Sequence, residues 1–297
     1  MNLLENIKQT FRKGDALIKL IYINAGVFLL LHAVRILLTL FTVPSDFILP
    51  NLAIPADVSV LIYRPWTLIS YMFLHTRIWH ILFNMLCLYW FGRFFLSAFS
   101  ERHLVGLYFV GGLIAGAFYI LAFNFFPLYR ELIPISILLG ASGSVIAIIV
   151  AAALKMPNME IRLLLLGGIK LKYVAIAIVA LSFFGITSDN AGGELAHLGG
   201  ALAGYLFIVL LNKGIDITAW INWIIDGAVN LFKPRKMRVK KVKYNAAQPN
   251  RKMTDQEYNM SKARNMAEID RILDKIKESG YDSLSAEEKR RLFEQKR

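Results

Sequence analysis

The sequence contains a single cysteine, Cys87, which excludes an internal disulfide and leaves the redox compartment open. It has no internal repeat and no low-complexity tract, so solenoids and arrays are not indicated. A cleavable secretory leader is also lacking, because no small-residue cleavage site follows a short apolar core near the start. We therefore expect the first apolar segment to remain in the protein.

Charge is scarce over long stretches of a chain that is 56% hydrophobic with positive mean hydropathy. A membrane-spanning helix needs about 20 apolar residues. Six segments are candidates, the last two being short: residues 20–41, 68–91, 104–126, 135–154, 173–187 and 195–211. This pattern predicts a multi-pass membrane protein. A solute transporter would favour inverted repeats and broken helices in both halves, and the sequence shows neither.

The net charge of +13 is concentrated in the tail. Residues 233–297 carry 19 Lys/Arg and 10 Asp/Glu, hence +9 of the total. Basic residues also cluster before the first span and between spans two and three and spans four and five. Because basic loops stay in the cytoplasm, both termini are predicted to be cytoplasmic, in the inner membrane of a bacterium. Spans two, four and six then run inward.

Five regions follow from these patterns. Residues 1–16 are a cytoplasmic lead, 17–212 the six-helix membrane domain, 214–232 an amphipathic helix, 233–253 a basic linker and 254–297 a cytoplasmic helical hairpin. The predicted fold is thus an all-α integral membrane bundle with an interfacial helix and a small appended hairpin. In the hairpin, Gly280 breaks the helical pattern, and "SAEE" at 285–288 is typical of a capping box.

Two assignments in the tail stay open. Residues 214–232 place tryptophans at headgroup depth if the helix lies on the bilayer, or they cover a partner as a soluble amphipathic helix. The run "KPRKMRVKKVK" at 233–243 either binds anionic lipid or forms a solvated linker. No aromatic residues interleave with its charges, so nucleic-acid binding is not indicated. The partner of the hairpin is unknown.

Polar residues inside the spans mark a candidate site, because such groups are costly in lipid and usually face a cavity or one another. "FLHTRIWHILFNML" carries His75, His80 and Asn84; "LLGASGSVIA" carries Ser142; "GGELAHLGGALAG" carries His197. All three motifs stand at the outer ends of inward-running spans. With 1.5 Å per residue, Ser142 lies about 20 Å and His197 about 24 Å from the cytoplasmic lysines, at similar depth.

Small residues predict that spans four and six pack closely. Gly143 begins such a stripe on span four, and Gly200 and Gly204 continue one on span six. Close packing would bring the His197 imidazole within reach of the Ser142 hydroxyl.

A serine nucleophile needs such a base and pre-placed oxyanion donors. His80, Asn84 and the Ser142 amide are the candidate donors, and Gly140 and Gly143 let the backbone approach a substrate.

Structural interpretations compete with this one. A serine in a span often only bonds neighbouring helices, and GxSG is frequent by chance. Glu194, three residues before His197, is either a third member that orients the imidazole or a solvated loop carboxylate, and we favour the second.

At these residues the sequence resembles the rhomboid family of intramembrane serine proteases. The resemblance rests on three motifs in order, "PWTLISYMFLHTRIWHILFNMLCLYWFGR", "GASGSVIA" and "GGELAHLGGALAGYLF", and covers residues 17–212. It implies a six-helix fold, a Ser142–His197 dyad without an aspartate, oxyanion donors His80 and Asn84, and a supporting His75. It implies single-span membrane proteins as substrates, and no cofactor or metal.

The motifs also depart from the family pattern. Ile146 stands where many relatives carry an aromatic that stacks on the base, and the usual Trp-Arg of the first loop is here Trp66-Thr67. The alternative function is a catalytically silent rhomboid-like protein that binds or relocates membrane helices.

Overall fold

The computed structural model describes residues 3–163, 167–232 and 255–294. They divide into two compact units, within Met1–Pro234 and Arg235–Arg297. The α-helices are α1 Leu3–Lys13, α2 Ala16–Leu40, α3 Ile48–Leu52, α4 Val58–Tyr63, α5 Thr67–Ser70, α6 Ile78–Ala98, α7 Glu101–Phe125, α8 Ser142–Lys155, α9 Leu171–Phe184, α10 Ala191–Asn212, α11 Ala219–Phe232, α12 Asp255–Ser279 and α13 Ala286–Glu294. The strands are β1 Ile54–Pro55, β2 Ile137–Leu138, β3 Glu160–Leu163 and β4 Gly167–Lys170.

The first unit is an all-α membrane bundle, as predicted. Four of its helices, α2, α6, α7 and α10, are long and apolar enough to cross a bilayer. Two shorter apolar helices, Ser142–Lys155 and Leu171–Thr187, account for the remaining predicted spans. The chain is therefore a multi-pass membrane protein.

Helix α8 lies at the centre of the bundle. Every residue from Gly143 to Ala153 is buried, because α6, α7, α9 and α10 all pack against this helix. At 1.5 Å per residue its 14 residues span about 21 Å, less than the roughly 30 Å of a bilayer core. Its first residue, Ser142, is half-buried.

Two predicted span boundaries are wrong. The second span starts at Ile78 and not at residue 68. Residues 67–73 form a short helix and a 3-10 turn of their own, and Arg77, which has an extended backbone, directly precedes the long helix α6. The fourth starts at Ser142 and not at residue 135, because β2 pairs antiparallel with β1 from the first loop. Both errors arise because apolar sequence before each of the two helices forms separate short elements, a short helix and 3-10 turn in one case and a strand in the other.

Buried polar groups tie the helices together around the core. The Asn24 amide donates to the Tyr108 hydroxyl at 3.0 Å, and that hydroxyl donates to the Met72 carbonyl at 2.9 Å. The contact joins α2, α7 and the segment before α6. At the other end of these helices, Arg93 pairs with Asp15. Such satisfied networks fix one packing arrangement, because an unpaired buried polar group is costly.

Helix α11 attaches to the start of α7 through polar groups. Arg102 pairs with Asp226 at 3.0 Å, and the Asn222 amide donates to the Arg102 carbonyl at 3.2 Å. Thr218 fits against Gly106, where a Cβ atom would clash with its side chain. The polar side predicted for 214–232 therefore faces the bundle.

The second unit contains α12 and α13. Gly280 joins them with φ of 77°, in the left-handed region that favours glycine. The predicted capping box is confirmed: the Ser285 amide donates to the Glu288 carboxylate at 2.6 Å, and the Glu288 amide donates to the Ser285 hydroxyl at 3.3 Å. The Ser285 amide and Lys275 lower the pKa of Glu288 to about 2. The predicted linker 233–253 lies outside the described residues.

Candidate active site

Ser142 is the first residue of α8, at the point where the chain leaves β2. The Val145 amide bonds to Ala141, so the helix ladder starts only there. The amides at 142–144 belong to the unsatisfied first turn, and the helix dipole gives this end partial positive charge. A serine hydroxyl beside such amides is suited to a reaction in which an oxyanion develops.

Backbone contact between α8 and α10 sets the relative position of the two motifs. A Cβ atom on Gly200 would overlap the Gly143 carbonyl, and one on Gly204 would overlap that of Ala147. The predicted small-residue packing of spans four and six is therefore present in the structure. His197 lies one turn before Gly200 on α10, which places it level with the start of α8.

His80 covers the other side of the turn that precedes Ser142. Gly140 has φ of 125°, and a Cβ atom there would lie 2.9 Å and 3.0 Å from two atoms of the His80 ring. The same point is 3.9 Å from the Ser142 hydroxyl. The residues from α6, α8 and α10 thus converge.

Asn84 and His75 support this arrangement from α6 and the segment before it. The Asn84 amide donates to the His80 carbonyl at 2.9 Å, one turn earlier in the helix. His75 is fully buried and its ring meets that of His80 edge-on, with centroids 5.0 Å apart. Because α6 starts only at Ile78, His75 lies outside the helix on which the sequence placed it.

The imidazole of His197 is held on its Nδ1 side. Nδ1 lies 3.2 Å from Oε2 of Glu194 and 3.1 Å from Oγ of Ser182. Glu194 occupies the first turn of α10, with its side chain 21% exposed, so the favoured interpretation of a solvated loop carboxylate is wrong. Ser182, on α9, was missed because a lone serine in an apolar span has no sequence signature.

Among the described hydrogen bonds, none joins Ser142 to His197. Because Ser182 of α9 and Glu194 both contact Nδ1 of His197, Nε2 is the ring nitrogen that neither of them engages. Ile146, at the position where relatives carry an aromatic, is buried in the core. The His197 ring is therefore oriented through Nδ1 and not by ring stacking on residue 146.

An apolar groove of about 770 Å³ runs between α9 and the second half of α8, and Leu198 of α10 also lines it. The site residues described above are not among its lining residues. Within the described residues, no group of three or more His, Cys, Asp or Glu side chains is placed to hold a metal ion.

Comparison with models of known protein families identifies the family of this chain. The model of the Rhomboid domain matches residues 63–214, just over half of the chain, including every site residue described above. The chain belongs to the rhomboid family. A second model, a family of unknown function (DUF6576), matches residues 243–295 of this rhomboid.

Among curated proteins, this rhomboid is similar to RHOMBOID-like protein 12, mitochondrial, of Arabidopsis thaliana. The two are 27% identical over 209 residues, which is 67% of this chain and 59% of that protein. The chain therefore matches less than two thirds of the length of that relative.

Proposed function

We propose that this rhomboid is an intramembrane serine endopeptidase that cleaves single-span membrane proteins at or near the membrane. Ser142 is the nucleophile, and His197 takes its proton and later protonates the leaving amine. His80, Asn84 and the Ser142 amide stabilise the oxyanion. The observation that carries the proposal is the backbone contact between α8 and α10. Through this contact, His197, whose Nδ1 is already hydrogen-bonded, lies at the same height in the bundle as Ser142 at the start of α8.

The substrate class follows from the location of the site. A spanning helix buries each carbonyl in an i to i−4 bond, so it must unwind before a serine attacks it. Glycine, serine or proline near the cut weakens such a helix. We expect small residues at the cut and helix breakers just beyond it. Equal cleavage of an all-leucine span would contradict this specificity.

Localisation and orientation belong to the same proposal. The basic loops support an inner membrane with both termini cytoplasmic, and residues 233–243 are a candidate contact for anionic lipid. In a Cys87→Ser background, an impermeant maleimide added to intact cells should label a cysteine at Asp189 and leave one at Asn158 unlabelled. The reverse pattern would invert the orientation.

Labelling by a fluorophosphonate probe tests the catalytic claim. The purified chain should be labelled, whereas Ser142→Ala and His197→Ala should not. Ser144→Ala is the matched control, because Ser144 is buried two residues further along α8 and should leave labelling unchanged. Equal labelling of wild type and Ser142→Ala would remove the protease assignment. An unlabelled wild type that still binds spanning helices would support the silent, helix-relocating alternative.

A further inference from the structure

The side of His197 that faces away from Ser142 has its own polar environment. Oε2 of Glu194 and Oγ of Ser182 both lie within hydrogen-bond distance of Nδ1, at 3.2 Å and 3.1 Å. Ser182 is 2% exposed, and it reaches the ring from α9. His197 is therefore contacted from two helices, by Glu194 of its own helix α10 and by Ser182 of α9. A chance pairing of neighbours on one helix surface would not involve the second helix.

The carboxylate is fixed by groups besides the imidazole. The Asn190 amide donates to Oε1 of Glu194 at 3.4 Å. The stem of Glu194 packs on Gly185 at the end of α9, where a Cβ atom would lie 2.7 Å from Cγ. Glu194 thus points into the seam between α9 and α10, where its side chain is only 21% exposed.

The proton in this contact has one consistent location. An ionised carboxylate only accepts hydrogen bonds, so the bond to Glu194 requires the proton on Nδ1 of His197. In a neutral imidazole the lone pair is then on Nε2. That tautomer is the one that a base needs when it takes a proton on the opposite side of the ring.

We propose that Glu194, assisted by Ser182, is the positioning residue for His197 and fixes the Nδ1–H tautomer. This inference rests on the proposed function for its catalytic consequence, and on the contacts alone for the tautomer. The site would then operate with three members, Ser142, His197 and Glu194. The departure at Ile146 fits this arrangement, because the ring is oriented from α9 and α10 without an aromatic partner.

The competing role for Glu194 is purely structural. An acidic side chain in the first turn stabilises a helix through its dipole wherever it points. Asp189 provides a matched control, because it is an exposed carboxylate just before the same helix end. A dipole role predicts that Asp189→Asn and Glu194→Gln behave alike. A positioning role predicts an effect of Glu194→Gln only.

Nitrogen NMR of the ring reads the tautomer directly. The full chain would be labelled with 15N-histidine in nanodiscs, and the signals of His197, one of five histidines, assigned by their loss in His197→Gln. Wild type and Asp189→Asn should show the Nδ1–H form. Glu194→Gln should show a mixture, because an amide satisfies either tautomer. Retention of the pure Nδ1–H form in Glu194→Gln would overturn the proposal, whether or not the protein is a protease.

Fluorophosphonate labelling gives the kinetic counterpart. In Glu194→Gln the maximal labelling rate should fall about 10- to 100-fold, as when the partner of an oriented histidine is removed, with half-saturation unchanged. Glu194→Asp should recover part of the rate. A Glu194→Gln variant that is labelled at the wild-type rate would overturn the positioning role. Failure of Ser142→Ala to reduce labelling would instead overturn the proposed function.

Discussion

Gly140 shows how a single position sets up the part of the candidate site next to His80. Its φ of 125° is in the region where side chains other than hydrogen are strained, and its α-hydrogen faces the His80 ring. The Gly140 amide donates to the Tyr71 carbonyl at 2.9 Å, so the turn is anchored from outside α8. Both the path of the backbone and the position of His80 depend on the missing side chain.

Gly140→Ala should therefore lower stability and also slow the reaction. We expect a loss of about 1–2 kcal/mol from backbone strain and at least a 10-fold lower rate of fluorophosphonate labelling. Thermal unfolding in detergent and labelling kinetics measure the two effects.

Gly214→Ala is the matched control for Gly140→Ala. Gly214 has φ of 81°, but nothing lies within 4 Å of the Cβ position. It should show the strain cost with a normal labelling rate. If both variants lost activity in parallel, the contact with His80 would have no catalytic meaning.

At the scale of residues, sequence reasoning found the groups with family motifs and missed those whose role comes from packing. Ser142, His80 and His197 stand in recognisable patterns, and the structure brings them to one place. Ser182 stands 15 residues from its partner on another helix, so its contact depends on how α9 meets α10. Glu194 was assigned to a loop because the predicted sixth span began at 195, whereas α10 begins at Ala191.

Among the elements, α8 determines where Ser142 lies in the bundle. It is short, it is buried from Gly143 to Ala153, and it begins with Ser142, so this serine lies at a helix terminus. The periodicity of apolar residues predicted this span but not its start, because β2 and the turn at Gly140 are as apolar as the helix itself. Strand pairing with the first loop, which no local pattern encodes, decides where α8 begins.

Contact between α8 and α10 should be sensitive to one added methyl group. Gly200→Ala puts a Cβ atom against a backbone carbonyl that cannot rotate away, so the helices must separate. We expect a destabilisation of about 1–3 kcal/mol, with reduced labelling, measured by thermal unfolding and probe kinetics. Gly26→Ala is the control: nothing surrounds its Cβ position, and helix propensity favours alanine by up to about 1 kcal/mol. Equal stability of the two variants would contradict tight packing at Gly200.

Helix α11 presents its apolar side outward while its polar side is bound to α7. Trp223 is 78% exposed and Trp220 is 49% exposed. Tryptophans prefer the headgroup region, so we expect this side to lie in the inner leaflet interface. Lipids brominated near the headgroup should quench wild-type fluorescence more than that of Trp223→Phe. If this side of α11 instead binds a soluble partner, wild type and Trp223→Phe should be quenched equally. Trp90→Phe, on α6, provides a reference for the quenching of a tryptophan in the bundle.

On the scale of the whole molecule, the residues of the candidate site and the appended hairpin belong to different units. All site residues lie within Met1–Pro234, and α12 and α13 lie within Arg235–Arg297. In the sequence, the apolar spans end where the basic tail begins. The function of the second unit was not predictable, since a capping box and an apolar stripe specify a fold and name no ligand. The family that this unit matches is one of unknown function, so the match indicates no ligand or reaction.

A chain that ends after Phe232 should accordingly keep its intrinsic activity. The helices that hold Ser142 and His197 pack on one another and on α7, with α11 retained as the last element. In proteoliposomes of uncharged lipid, the truncated chain should match the full chain in fluorophosphonate labelling within about twofold, and Ser142→Ala in the truncated chain should abolish it.

With anionic lipid present, the full chain should bind vesicles more strongly than the truncated chain, because the basic run 233–243 is attracted by about 1 kcal/mol per residue. Loss of labelling in a truncated chain that unfolds at the normal temperature would mean that the second unit acts on the site, and the two units would then have to be treated as one catalytic assembly.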